Sequence, residues 1–191
     1  METLLKLVIK MILTGSAIRQ SIANKDIFFE PFDSRAINPN SINYRLGDRL
    51  YQVEVDHENK INHTPVPFDG ERFLLLKDKL YLGHTHEIIG SKKYVASLIG
   101  RSSIGRLGLF VQVSANLGQM GAIHRWTLEL FPTQDIYVYP GQTIGQVSFW
   151  TTHGKPLAYS GWFGRHNIPM PSKQHDPSFT SRGAVNDFNR P

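Results

Sequence analysis

A chain of 191 residues with 40% hydrophobic and 19% charged side chains has the size and balance of one soluble domain with a substantial core. It has no cysteine, which excludes disulfides, thiolate nucleophiles and Cys-ligated zinc. The net charge of +5 suits a polyanionic ligand, but the basic residues are dispersed and no Lys/Arg stripe interleaves with aromatics, so nucleic acid is not an expected partner.

Along the chain, residues 1–13 are apolar but interrupted by Glu2, Lys6 and Lys10. They are too short to span a membrane and lack the basic start and cleavage site of a signal peptide. Met11 opens a second natural start, so residues 1–10 read as an extension and the cytoplasm as the location. Residues 16–24 predict one short helix, with Thr14 or Ser16 as N-cap and Ile18 and Ile22 on one face. Short alternating apolar runs then predict strands at 27–29, 42–46, 51–55, 73–76, 81–82, 88–89, 94–99, 109–113, 126–131, 136–139 and 143–149. Pro140-Gly141 joins the last two as a tight turn. Many short strands at this spacing define an all-β barrel or sandwich over residues 11–160. Proline and polar residues then mark a tail, 161–191, whose aromatic and basic beginning (Trp162-Phe163-Gly164-Arg165-His166) could close over a site.

Two segments carry chemistry. Residues 100–108, G-R-S-S-I-G-R-L-G, set arginines and adjacent serines among glycines, a composition that cradles phosphate through backbone N–H groups and charged donors. Downstream, Glu129 puts one carboxylate into the apolar run of Trp126, Leu128 and Phe131. A carboxylate there is costly unless paired with an arginine or put to use in proton chemistry. His84 and His86 alternate beside Glu87, the start of a metal site that lacks a third ligand. His124 lies close enough in sequence to tune Glu129.

Leu98-Ile99-Gly100-Arg101-Ser102-Ser103-Ile104-Gly105-Arg106-Leu107-Gly108, then Ala115, then Trp126-Thr127-Leu128-Glu129-Leu130, resembles the dCTP deaminase branch of the trimeric dUTPase-like superfamily. Ile12-Leu13-Thr14-Gly15, the stretch from Pro39 to Gly47, the group Leu82-Gly83, Thr85 and Glu87, and Tyr139-Pro140-Gly141-Gln142-Thr143-Ile144-Gly145 extend the similarity over about residues 11 to 150. The resemblance implies a distorted dUTPase-like β-barrel with a short N-terminal helix, assembled as a homotrimer with active sites between subunits. It implies zinc-independent deamination of dCTP to dUTP and ammonia. Glu129 would be the general base. Ser102, Arg106 and the carbonyl of Ala115 would position the water and the tetrahedral centre. Arg101 and Ser103 would bind phosphates, with Mg2+ carried by the substrate's triphosphate. Gln119, Arg165 and His166 would complete the substrate contacts.

Some positions depart from that pattern. Gln119 stands where the family carries an aspartate that contacts the sugar and, in dUTPases, activates water, which counts against a dUTPase. Trp162 and Phe163 replace a lysine and a tyrosine of the tail motif. The alternatives are a deaminase of another cytosine nucleotide (a monophosphate, a ribonucleotide or a modified base) or a catalytically silent trimeric nucleotide-binding protein.

Overall fold

The computed structural model describes residues 11–58, 60–112 and 114–173, the side chains of Phe163 and Arg165 excepted. The expected extension over residues 1–10 and most of the expected tail therefore lie outside the described residues. Helix α1 (Gly15–Ala23) begins at Thr14, whose hydroxyl accepts the Ala17 N–H, so Thr14 is the cap and Ser16 lies inside the helix. Ile18 on its inner face is fully buried, which docks the helix against the β core.

The rest is antiparallel β. The strands in chain order are β1 (Ile27–Glu30), β2 (Ile42–Arg45), β3 (Tyr51–Val55), β4 (Ile61–Pro65), β5 (Phe73–Leu75), β6 (Leu80–His84), β7 (Ile88–Ser91) and β8 (Val95–Gly100). After the helical turn α2 (Ser102–Gly105) come β9 (Leu109–Val111), β10 (Leu117–Gly118), β11 (Ile123–His124), β12 (Thr127–Pro132), β13 (Ile136–Val138) and β14 (Thr143–Trp150). They assemble as sheets β4-β3-β6-β12-β9, β10-β8-β14-β2 and β1-β7-β11, with β13 paired to β5. Alternation sends Ile42 and Tyr44 of β2, Ala96 and Leu98 of β8, Leu128 and Leu130 of β12, and Val147 and Phe149 of β14 into one shared core. The two fully buried tyrosines keep their hydroxyls bonded: Tyr44 donates to the Ile99 carbonyl at 3.0 Å, and Tyr81 accepts the Leu76 N–H at 2.8 Å.

Three strands have no counterpart in the sequence reading. Asn62, His63 and Thr64 of β4 are exposed, and this edge strand is held by backbone pairing to β3, so no apolar alternation marks it. Strands β10 and β11 have two residues each, too few for a period to register. The strand expected over 109–113 ends at Val111, because Gln112 takes a left-handed backbone, φ 54°, and turns the chain out of the sheet. No described helix is long and apolar enough to cross a membrane.

Candidate active site

Strand β12 places Glu129. Its neighbours Leu128 and Leu130 point into the core, so the period of two turns Glu129 to the other face, where it is half-buried. That face forms part of a cavity of about 820 Å³. Val53 and Val55 of β3, Ile61 of β4, and Leu80 and Leu82 of β6 supply an apolar wall, because β3, β6 and β12 are consecutive neighbours in one sheet. Ala115, Leu117, Gln119, Ala122, His124 and Trp126 also line the cavity. Tyr159, Gly164, Met170, Pro171 and Ser172 of the C-terminal segment complete it. Hydrogen bonds hold that segment in place: Tyr159 N–H to the Met120 carbonyl, Arg125 N–H to Asn167 Oδ1, and Met170 N–H to Thr127 Oγ1.

Glu129 is the only carboxylate among the described lining residues, and none of those residues is Lys or Arg. The expectation of a buried carboxylate beside an arginine is not what one chain shows. Among the described residues Glu129 makes no ion pair, and its Oε2 accepts a 2.8 Å hydrogen bond from the Ser114 hydroxyl. Of the expected site residues, Ala115 and Gln119 share the cavity with Glu129. Arg101, Ser102, Ser103 and Arg106 do not line it; they are exposed around α2, where Arg101 is the N-cap. His166 stacks on Trp162 at 3.8 Å and is not part of the lining, and the Arg165 side chain lies outside the described residues.

The remaining candidates have structural partners. Glu87, almost fully buried, accepts the Arg45 guanidinium at 2.6 Å and the Arg45 N–H at 2.9 Å. His84 sits with its ring nitrogens against the Thr85 carbonyl and Asp48 Oδ1. Among the described residues no group of three or more His, Cys, Asp or Glu is placed to hold a metal ion.

His124 is buried beneath Trp126, ring centroids 4.3 Å apart, and lines the cavity. Burial pushes the imidazoles of His84 and His124 below the usual value of 6.5. The unfolded chain then binds more protons than the folded one as pH drops through 6.5, so stability falls with pH there, by up to about 1.4 kcal/mol per pH unit for each histidine. Thermal melting followed from pH 7.5 to 5.5 is expected to show the midpoint decline below 6.5. A midpoint that rises across this range contradicts the assignment of these two rings as buried and neutral.

Sequence reasoning missed Gln112 and Ser114. Pairing gives the signal in retrospect: Leu130 faces Val111, so the next residue of each strand outward sets Glu129 beside Gln112. Trp126 was visible only as an apolar neighbour; its indole N–H donates to the Ile89 carbonyl at 2.8 Å and fixes the ring as a wall.

Fold and cavity together define a mainly-β protein with one carboxylate, among the described lining residues, in a largely apolar cleft. A dCTP deaminase-like family model matches residues 12–152. A Cytophaga hutchinsonii protein named "dCTP deaminase, dUMP-forming" is 43% identical over 160 residues, 82% of this chain and 92% of that protein. A Clostridium beijerinckii protein of the same name is 44% identical over 155 residues, 78% of this chain and 88% of the other. The solved 2′-deoxycytidine 5′-triphosphate deaminase of Agrobacterium tumefaciens superposes with a TM-score of 0.60 at 22% identity, over 75% of this chain and 49% of its own. This chain thus spans about half the length of that solved protein, and at such identity the likeness speaks for the fold. The chain belongs to the dCTP deaminase-like family.

Proposed function

We propose that this protein hydrolyses the 4-amino group of cytosine in dCTP, with Glu129 as general base. The observation that carries the reading is Glu129 itself, the one carboxylate among the described residues of a largely apolar cleft, held by Ser114. Glu129 would take a proton from water as its oxygen attacks C4 and pass that proton to N3. It would then take the proton of the new C4 hydroxyl and deliver it to the amino nitrogen as the tetrahedral centre collapses, so that the cytosine of dCTP becomes uracil and ammonia leaves. The backbone between Gly118 and Leu128, which runs along the cavity, supplies donors and acceptors to tell cytosine from uracil.

Phosphates need cations, and the described lining has none. We assign Arg101, Ser102, Ser103 and Arg106 to a cavity of a neighbouring copy in a homotrimer. The sheet face that bears Glu129 supports this, because it leaves Val55, Leu80, Phe110 and Phe131 exposed at 36–57%. With no acidic cage among the described residues, Mg2+ would ride on the substrate's triphosphate, where it neutralises phosphate charge. A cytoplasmic location fits a nucleotide substrate.

The expectation of dUTP as the product is corrected by the relatives, which are named dUMP-forming: in that reading a further water cleaves the nucleotide between its α- and β-phosphates, and dUMP leaves with pyrophosphate. Gln119, an amide, would not be the base for that second water.

The test is to follow ammonia and pyrophosphate with dCTP, CTP, dCMP, CMP and dUTP, with magnesium, using protein whose mass in solution has been measured. Ammonia from dCTP with an equal amount of pyrophosphate, made by a trimer, is the expected result. Ammonia without pyrophosphate makes dUTP the product. Preference for another cytosine nucleotide moves the assignment to that substrate, and no ammonia from any of them rejects catalysis.

A further inference from the structure

We infer that Gln112 is a positioning residue that holds Glu129 and the Ala115 carbonyl in one fixed geometry; the inference rests on the reading of Glu129 as the base. Three described residues other than glycine have positive φ: Lys25, Asp78 and Gln112. Lys25 and Asp78 are exposed, whereas Gln112 is only 8% exposed and lines the cavity. A left-handed backbone costs an L-residue on the order of 1–2 kcal/mol, and a buried polar side chain adds a desolvation cost. Its hydrogen bonds offset both.

The bonds form a clasp. The Gln112 N–H donates to the Glu129 carbonyl at 3.0 Å, and the Glu129 N–H donates back to Gln112 Oε1 at 2.7 Å. In a regular ladder a backbone carbonyl would accept that second bond. Here the left-handed turn carries the backbone away from β12 and the side-chain amide takes its place. The other end of the amide, Nε2, donates to the Ala115 carbonyl at 2.9 Å. One planar group thus ties the base's own peptide to the carbonyl assigned to the water, and the tied loop brings the Ser114 hydroxyl onto Glu129 Oε2. Misplacing reacting groups by about 1 Å costs on the order of 10²-fold in rate.

An amide has one fixed donor and one fixed acceptor at every pH, and a neutral imidazole offers the same pair. The experiment compares Gln112→Leu, Gln112→Gly and Gln112→His with the wild type by ammonia release and nucleotide binding. Leucine removes the clasp, and glycine keeps the left-handed turn without strain but lacks the amide. Both are expected to lose about 30- to 100-fold in kcat with nucleotide affinity changed less than threefold. Histidine is expected to recover at least a tenth of wild-type kcat at pH 8. It should lose that activity when its acceptor nitrogen protonates, at a pH below about 6.5 because burial disfavours the charged ring, as a step absent from the wild-type profile. The other titratable groups among the described cavity residues, His124, Glu129 and Tyr159, are common to both proteins, and the wild-type profile subtracts them. Wild-type kcat in the glycine variant overturns the inference, whether or not the leucine variant folds. An equal loss of binding and turnover in the glycine and histidine variants also overturns it, since that reports general disorder of the cavity. If the wild type is active and Glu129→Gln is too, the reading of the base fails first and the clasp has nothing to position.

Discussion

Glu129→Gln is expected to lower turnover by on the order of 10²–10⁴-fold, the usual contribution of a general acid–base group. The amide has nearly the same shape as the carboxylate and can still meet the Ser114 hydroxyl. The two bonds to Gln112 use Glu129 backbone atoms and survive the change, so β12 stays in register. Only the capacity to accept and return a proton is lost. Nucleotide affinity is therefore expected to stay within a few-fold of the wild type. Measured kcat for ammonia release, beside the dissociation constant of the nucleotide, separates the two effects. A glutamine variant with full activity would remove the proposed chemistry.

Gly90→Ala is expected to damage stability and activity together, from a position outside the cavity lining. Gly90 lies in β7, the central strand of its sheet, facing Phe28 of β1 on one side and Ile123 of β11 on the other. A Cβ built there falls on the Ala122 carbonyl oxygen and crowds Ile123 Cα. Both are backbone atoms, so no side-chain rotation relieves the clash. Overpacking in a closed interior costs about 1–3 kcal/mol and more where nothing can yield, so about 3 kcal/mol is expected. That lowers the melting midpoint by roughly 6–12 °C for a chain of this size. Relief requires β11 and the Ala122 that precedes it to move outward, and Ala122 and His124 both line the cavity. Activity measured well below the melting midpoint is expected to fall as well. A variant that melts like the wild type would show that the β7–β11 contact is looser than its geometry states.

Much of the frame was legible from residue order. Thr14 before Ile18 and Ile22 announces one helix, and alternation marks strands such as β2, β12 and β14 because each buries one face only. Where both faces are wet, as in β4, or the strand is two residues long, as in β10 and β11, alternation carries no signal. His84 and Glu87 illustrate the same limit from the other side. As letters they suggested ligands, but their partners, Asp48 and Arg45, come from distant turns and strands.

The order of residues by itself determined that this is a mainly-β chain without cysteine chemistry, that Glu129 stands alone as a carboxylate in an apolar strand, and which family its motifs match. These are local properties, set by composition, spacing and the period of two. Which groups meet Glu129 was decided only by tertiary structure. The left-handed turn at Gln112, the Ser114 hydroxyl on the carboxylate, the apolar wall from β3 and β6, and the absence of α2's arginines from the same chain's cavity all follow from strand pairing between distant segments. Register is a property of two strands at once, and a one-residue slip exchanges every side chain between core and cavity, so no single stretch of sequence contains that information.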